Sequence, residues 1–376
     1  MKLNRQFAAM LVPVLLAACS SDKPAAEPAK LADFTARAKI EVRWDANVGD
    51  EGLSELFPAV TREAVFAANE KGKLYRFDRN TGKQAWSIDS GFVITGGVGA
   101  GEGLVMVGGG KGELAAFDED TGKMQWKVKV SSEVLTAPMI SDGIVVVRTG
   151  NQRITGLSAK DGSRLWLYER ATPTLIVRSH ASVVIRNELV YAGFAAGKLA
   201  AIGLKNGVVV WESSVSQPRG STELERISDI TSLPVVDDAQ VCAVAFQGSM
   251  ACFDAVQGGA LWTREIASEK GLAISGKTLY VTDSDSNVLA LDKGTGATIW
   301  KNSQLLLRKA TAAYPLDDYL VLGDYEGYLH VLKSDDGSFV ARRKTDGSAI
   351  RVAPVTLGDG ALIQTSGGEL YSIVIR

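Results

Sequence analysis

Seven tryptophans fall in one register along this chain, and that periodicity leaves few folds open to it. The clearest unit runs Gly72-Lys73-Leu74-Tyr75-Arg76-Phe77-Asp78-Arg79-Asn80-Thr81-Gly82-Lys83-Gln84-Ala85-Trp86, and Gly112 to Trp126 repeats it with Asp118, Thr121 and Gly122 in the same places. Weaker copies end at Trp166, Trp211, Trp262 and Trp300, and one from Gly327 to Ala341 has lost its tryptophan. Four residues before each end stands a glycine: Gly82, Gly122, Gly162, Gly207, Gly258, Gly296 and Gly337. With Trp44 included, the spacings are 42, 40, 40, 45, 51, 38 and 41, the last measured to Ala341. Periods of this length are the mark of repeat architectures such as propellers.

Each unit reads as a strand, a tight turn and a second strand. Leu74 to Asp78 mixes alternating β-favouring and aromatic types. The Asp-x-x-Thr-Gly that follows is a turn whose glycine takes a positive φ without steric cost. The next strand carries the tryptophan, a ring suited to the gap between packed sheets. Another strand pair lies upstream, as in Thr136 to Ile140 and Ile144 to Arg148 around Asp142-Gly143. Four strands per repeat make a propeller blade.

The two ends of the chain set the count. The last register point is Gly368 and Leu370, and the sequence stops at Arg376 before another tryptophan is due. Trp44, within Ile40-Glu41-Val42-Arg43-Trp44, supplies the missing outer strand. The expectation is therefore an all-β, eight-bladed β-propeller over residues 34–376 with four-stranded blades. Its ring is closed by the N-terminal strand completing the C-terminal blade, which leaves no open seam. The tryptophans Trp44, Trp86, Trp126, Trp166, Trp211, Trp262 and Trp300 are expected between blades as structural residues.

At the N-terminus, Lys2 and Arg5 precede an apolar run from Phe7 to Ala18, of signal-peptide proportions. Its end, Leu16-Ala17-Ala18-Cys19, resembles a bacterial lipobox. That resemblance implies a signal peptide over 1–18 and a lipidated Cys19, with Ser20 after it matching sorting to the outer membrane. Residues from Ser20 to about Asp33 are rich in Ala, Pro, Lys and Glu, so 19–33 is expected to be a lipidated, flexible tether. The formal charge of −2 gives no basic field for nucleic acid.

Chemistry is sparse. The repeat resembles the tryptophan-containing blade motif of quinoprotein dehydrogenases, which implies a vicinal Cys-Cys, a calcium site of Glu, Asn and Asp, and a catalytic Asp. Here no Cys-Cys pair exists, and only Cys242 and Cys252 follow Cys19. Those two flank the turn at Gln247-Gly248, and either a disulfide or two buried thiols fits their placement. His180 and His330 are the only histidines and stand far apart, so neither a metal nor a cofactor is expected. No residue stands out as catalytic, and the chain is expected not to be an enzyme.

Function on a repeat scaffold concentrates in irregular loops. Two consecutive blade-to-blade connections are long: one through Leu175-Ile176-Val177-Arg178 to His180, the other from Ser216 through Glu225-Arg226 to Asp229. Neighbouring blades place them side by side. Leu175 and Val177 with Arg178, Glu225, Arg226 and Asp229 make apolar anchors ringed by charge, as a protein-binding patch needs.

With the lipobox and the propeller closed by its N-terminal strand, the stretch Ser216-Gln217-Pro218-Arg219-Gly220-Ser221-Thr222-Glu223-Leu224-Glu225-Arg226-Ile227-Ser228-Asp229 resembles the BamB family of outer-membrane assembly lipoproteins. The resemblance implies a non-catalytic scaffold at the periplasmic face of the outer membrane. Its partners would be the POTRA domains of the β-barrel insertase BamA and, further on, unfolded outer-membrane protein clients. It also implies a partner site at Leu175 to Arg178 and at Asp229. Thr231 stands where the family commonly has a second Asp, and Glu225 replaces a family Asp. The alternative is a small periplasmic quinoprotein-like or other ligand-binding propeller.

Overall fold

The computed structural model describes residues 27–49, 52 and 54–376; the expected signal peptide and Cys19 lie outside the described residues. Eight four-stranded antiparallel sheets follow one another around a ring. Seven form from consecutive strands. Blade 1, for example, is Ala59–Val60, Ala64–Ala68, Lys73–Asp78 and Gln84–Asp89, counted from the centre outwards. The eighth takes Val355–Leu357, Gly360–Gln364 and Glu369–Ile375 from the C-terminus and its outer strand, Ile40–Asn47, from the N-terminus. Ile40 pairs with Ile375 and Asn47 with Glu369, so the ring is closed by an antiparallel ladder. The eight-bladed reading and its N-terminal closure are both borne out.

Burial follows the strand pattern. The second strand of each blade is almost wholly apolar and buried, as in Ala64–Ala68 and Ile144–Arg148, because both of its faces meet neighbouring blades. The outer strands alternate, with the tryptophan inward and polar or exposed residues on either side of it.

The tryptophan register has a specific cause. Each indole Nε1 donates to a carbonyl in the outer turn of the following blade: Trp44 to Arg79 O, Trp126 to Ala159 O, Trp166 to Leu204 O and Trp300 to Ser334 O, at 2.7–3.0 Å. Each ring also covers the glycine of that turn. A Cβ on Gly82 would lie 2.6 Å from Trp44, and one on Gly207 would lie 2.7 Å from Trp166. Glycine is required there twice over, since Gly82 and Gly207 also take φ near +70°.

The same contact explains the missing ring at Ala341. The blade that follows it is the closing blade, whose third and outer strands end at Ile375 and begin at Ile40. No turn joins them, so the carbonyl and the glycine that would receive an indole do not exist. Ala38 and the backbone of Arg37 occupy that space, with both amides directed at Val340 O (2.9 and 3.2 Å).

Cys242 and Cys252 are registered partners on adjacent strands of blade 5, 4.1 Å apart at Cα, and are joined by a disulfide. Closing so short a loop stabilises by about 2–3 kcal/mol. Replacing both cysteines by alanine is expected to lower the denaturant midpoint by a corresponding amount.

Candidate partner-binding face

The connections between blades and the turns between second and third strands emerge on one face, here called the upper face. Their mutual hydrogen bonds show it: Gly150 N to Glu133 O (2.8 Å), Ile230 N to Phe194 O (3.1 Å) and Phe246 N to Asp229 O (2.8 Å). On this face two connections are longer than the other six, 169–183 between blades 3 and 4 and 215–234 between blades 4 and 5. The inner strands they lead into start at Val184 and Val235.

Asp229 ties the two connections together. One carboxylate oxygen accepts from Val177 N at 2.8 Å. The other accepts from Ala196 N at 3.0 Å, in the blade 4 turn. Ser179 Oγ adds a bond to Thr231 O at 3.0 Å. Ala196 sits at φ +57°, a conformation that costs a non-glycine residue roughly 1–2 kcal/mol, so the carboxylate holds a strained turn.

Beneath Asp229 lies Arg148, also buried. Its Nη1 donates to Ala181 O at 2.9 Å, and its guanidinium lies 5.7 Å from the centre of the Phe194 ring. Burial pushes Arg148 down to about 10, and the charge of Asp229 works against that shift. Arg170 approaches the same ring at 5.4 Å. His180 stands 3.6 Å from Glu55, which links the first connection to the one between blades 8 and 1.

On this base the exposed groups are set out. Leu175 is 42% exposed. Arg178 projects from the same connection and meets Glu133 at 3.0 Å, in the connection between blades 2 and 3. In the second connection the most exposed apolar group is Leu224, at 67%. Glu225 and Arg226 hold it up. Glu225 Oε2 accepts from Ser221 N and Thr222 N at 2.7 and 3.1 Å, and Thr222 Oγ1 accepts from Glu225 N at 3.2 Å. This is the reciprocal bonding of a capping box, and it lowers the Glu225 carboxyl below its ordinary range. Arg226 Nε donates to Gly220 O at 3.1 Å.

Of the residues expected at the site, the structure brings Leu175, Val177, Arg178 and Asp229 together. Glu225 and Arg226 belong instead to a self-closed turn over 220–227. Asp229 is 3% exposed, so it positions the loops rather than offering a surface charge. Arg148 and Leu224 were not anticipated. The available signals were a charge ending the buried run Ile144-Val145-Val146-Val147, and the one large aliphatic residue between Gln217 and Arg226.

Known proteins resemble this chain throughout. A family model described as "Outer membrane protein assembly factor BamB" matches residues 70–302. A Pseudomonas aeruginosa protein named outer membrane protein assembly factor BamB is 42% identical over 374 residues, covering 98% of this chain and 98% of that protein. The crystal structure of BamB from Moraxella catarrhalis superposes with a TM-score of 0.83 at 26% identity, covering 89% of this chain and all of that one. A quinohemoprotein alcohol dehydrogenase from Comamonas testosteroni superposes at a TM-score of 0.72 and 13% identity, over 89% of this chain and 76% of its own, which reflects the shared propeller alone.

Proposed function

The chain belongs to the outer membrane protein assembly factor BamB family, and from that premise we propose that it serves outer-membrane protein assembly as a non-catalytic scaffold. It is held at the periplasmic face of the outer membrane through lipid on Cys19. Its partners are the POTRA domains of BamA, engaged by the upper face of blades 3 to 5, and unfolded client chains come next to it in the same assembly. The observation that carries the reading is the pair of long connections knotted at Asp229, which present Leu175, Arg178 and Leu224 from one rigid base.

Such a patch has the composition of a binding hot spot: apolar anchors beside an arginine. A rigid base also reduces the ordering cost of association. No chemistry is assigned to it; presentation is the mechanism.

The test is binding of the mature domain to purified POTRA domains of BamA from the same organism, with circular dichroism to confirm folding. Arg178→Glu places a like charge against Glu133 and removes the arginine anchor. It is expected to weaken binding by about 2 kcal/mol or more, roughly thirtyfold. Leu224→Asp is expected to weaken it by a similar factor without touching the Asp229 knot. Wild-type binding unchanged by both folded variants would place the contact elsewhere on the propeller. Failure of the wild type to bind would remove the scaffold reading.

A further inference from the structure

The outer strand of blade 7 differs from the others. Phe339, Val340 and Ala341 are buried, whereas their counterparts Thr298 and Ile299 in blade 6 are exposed. What covers them is the chain's own N-terminal segment. Ala29 N donates to Leu306 O at 2.9 Å, and Lys39 and Arg376 exchange backbone bonds at 2.7 and 3.0 Å. Between these ends the segment runs down the outside of the blade. Phe34 stacks on Phe339 with ring centres 5.7 Å apart, and the Arg342 guanidinium lies 5.0 and 5.3 Å from the two rings.

Two arginines grip the segment by its backbone. Arg308 Nη1 donates to Ala29 O at 3.0 Å, and Arg342 Nη1 donates to Ala32 O at 2.9 Å. Both arise from a buried centre on blade 7. Arg308 Nε donates to Asp324 at 2.8 Å, His330 Nε2 meets the same carboxylate at 2.9 Å, and Arg342 Nε donates to His330 Nδ1 at 3.3 Å. His330 can serve both neighbours only as the neutral tautomer with its proton on Nε2, and burial lowers its pKa in keeping with that. Buried charges are costly unless paired and used. Here the two guanidinium groups turn outward from the pair to the carbonyls of Ala29 and Ala32.

We propose that residues 29–39 are a strap that fixes where the membrane anchor leaves the propeller: at the upper rim of blade 7, on the face that carries the two long connections. The inference rests on the reading of Cys19 as the lipidated residue. About nine residues then separate Cys19 from Ala29, spanning at most ~30 Å when fully stretched. A tether free as far as Ile40 would reach about twice that distance. The strap therefore holds the rim of blade 7 close to the lipid and gives the partner face a set relation to the membrane.

The experiment uses the full lipidated chain in vesicles, with spin labels at Lys30→Cys on the strap and Asp285→Cys on the upper turn of blade 6. Both positions are exposed, and Cys242 and Cys252 are bridged. Double electron–electron resonance is expected to give one short, narrow distance. Phe34→Ser, which leaves the propeller core intact, is expected to lengthen and broaden it severalfold. A broad distribution in the parent protein, unchanged by Phe34→Ser, would overturn the strap. Mass spectrometry of the mature N-terminus reports separately on lipidation: a narrow distance with an unlipidated Cys19 would keep the strap and overturn its role as an anchor guide.

Discussion

Asp229→Ala is expected to abolish partner binding and to destabilise the propeller by about 3 kcal/mol, although the carboxylate is not on the surface. Its loss leaves Val177 N and Ala196 N without their acceptor. It also removes the favourable charge acting on the buried Arg148. Each buried donor left without its acceptor costs about 1–3 kcal/mol, and the charge lost from the neighbourhood of Arg148 adds to that. The bond of Arg148 to Ala181 O keeps the estimate at the low end. Asp229→Asn retains one acceptor oxygen without the charge and should fall between wild type and alanine in both stability and binding. Urea melts alongside binding titrations separate the possibilities. Lost binding with undiminished stability in Asp229→Ala would mean that the carboxylate touches the partner directly. Unchanged values of both would mean that the knot holds nothing.

The other large effect lies in the ring itself. Trp166→Ala should cost about 3–5 kcal/mol, the usual range for emptying a large aromatic site. Trp166 is buried, donates to Leu204 O at 2.7 Å and fills the space over Gly207 of the next blade. Its loss therefore opens a cavity between blades 3 and 4, beneath the first long connection. Gly207→Ala attacks the same contact from the other side. It places a methyl 2.7 Å from the ring at a residue with φ +69°, so it should also destabilise, and the two changes should not add. By contrast Ala341→Trp, which restores the repeat on paper, should destabilise by about 1–3 kcal/mol, because a buried alanine with no receiving turn is overpacked. Stabilisation by Ala341→Trp would contradict the explanation given for the missing ring.

The fold was legible because its determinants are local and repeated. A glycine four residues before a tryptophan encodes a turn and a contact to the next blade, and six such copies with the variant at Gly337 and Ala341 set the count. Even the exception at Ala341 carries information. The site was legible only in part. Leu175 and Arg178 announce themselves as a hydrophobic residue and a charge in a long loop. Asp229 resembles any loop acid, since aspartates are rarely buried; its burial rests on the backbone amides of Val177 and Ala196, which no local pattern connects to it. The strap is hidden for a related reason. The composition of residues 20–33 predicts a free tether, but Arg308 and Arg342 hold Ala29 and Ala32 through backbone carbonyls, which every residue type possesses.

The seam between Ile375 and Ile40 also bears on how the gene could be rearranged. Since Lys39 and Arg376 already lie within hydrogen-bonding distance, the chain could be joined there and cut at any other outer turn without redrawing the ring. A protein permuted in this way would gain a turn at the old junction as it loses one at the cut, and position 341 would then have somewhere to put an indole. The tryptophan just before the new cut would lose its purpose. The vacancy in the series is thus a property of where the chain begins, and it would travel with the termini rather than stay with blade 7.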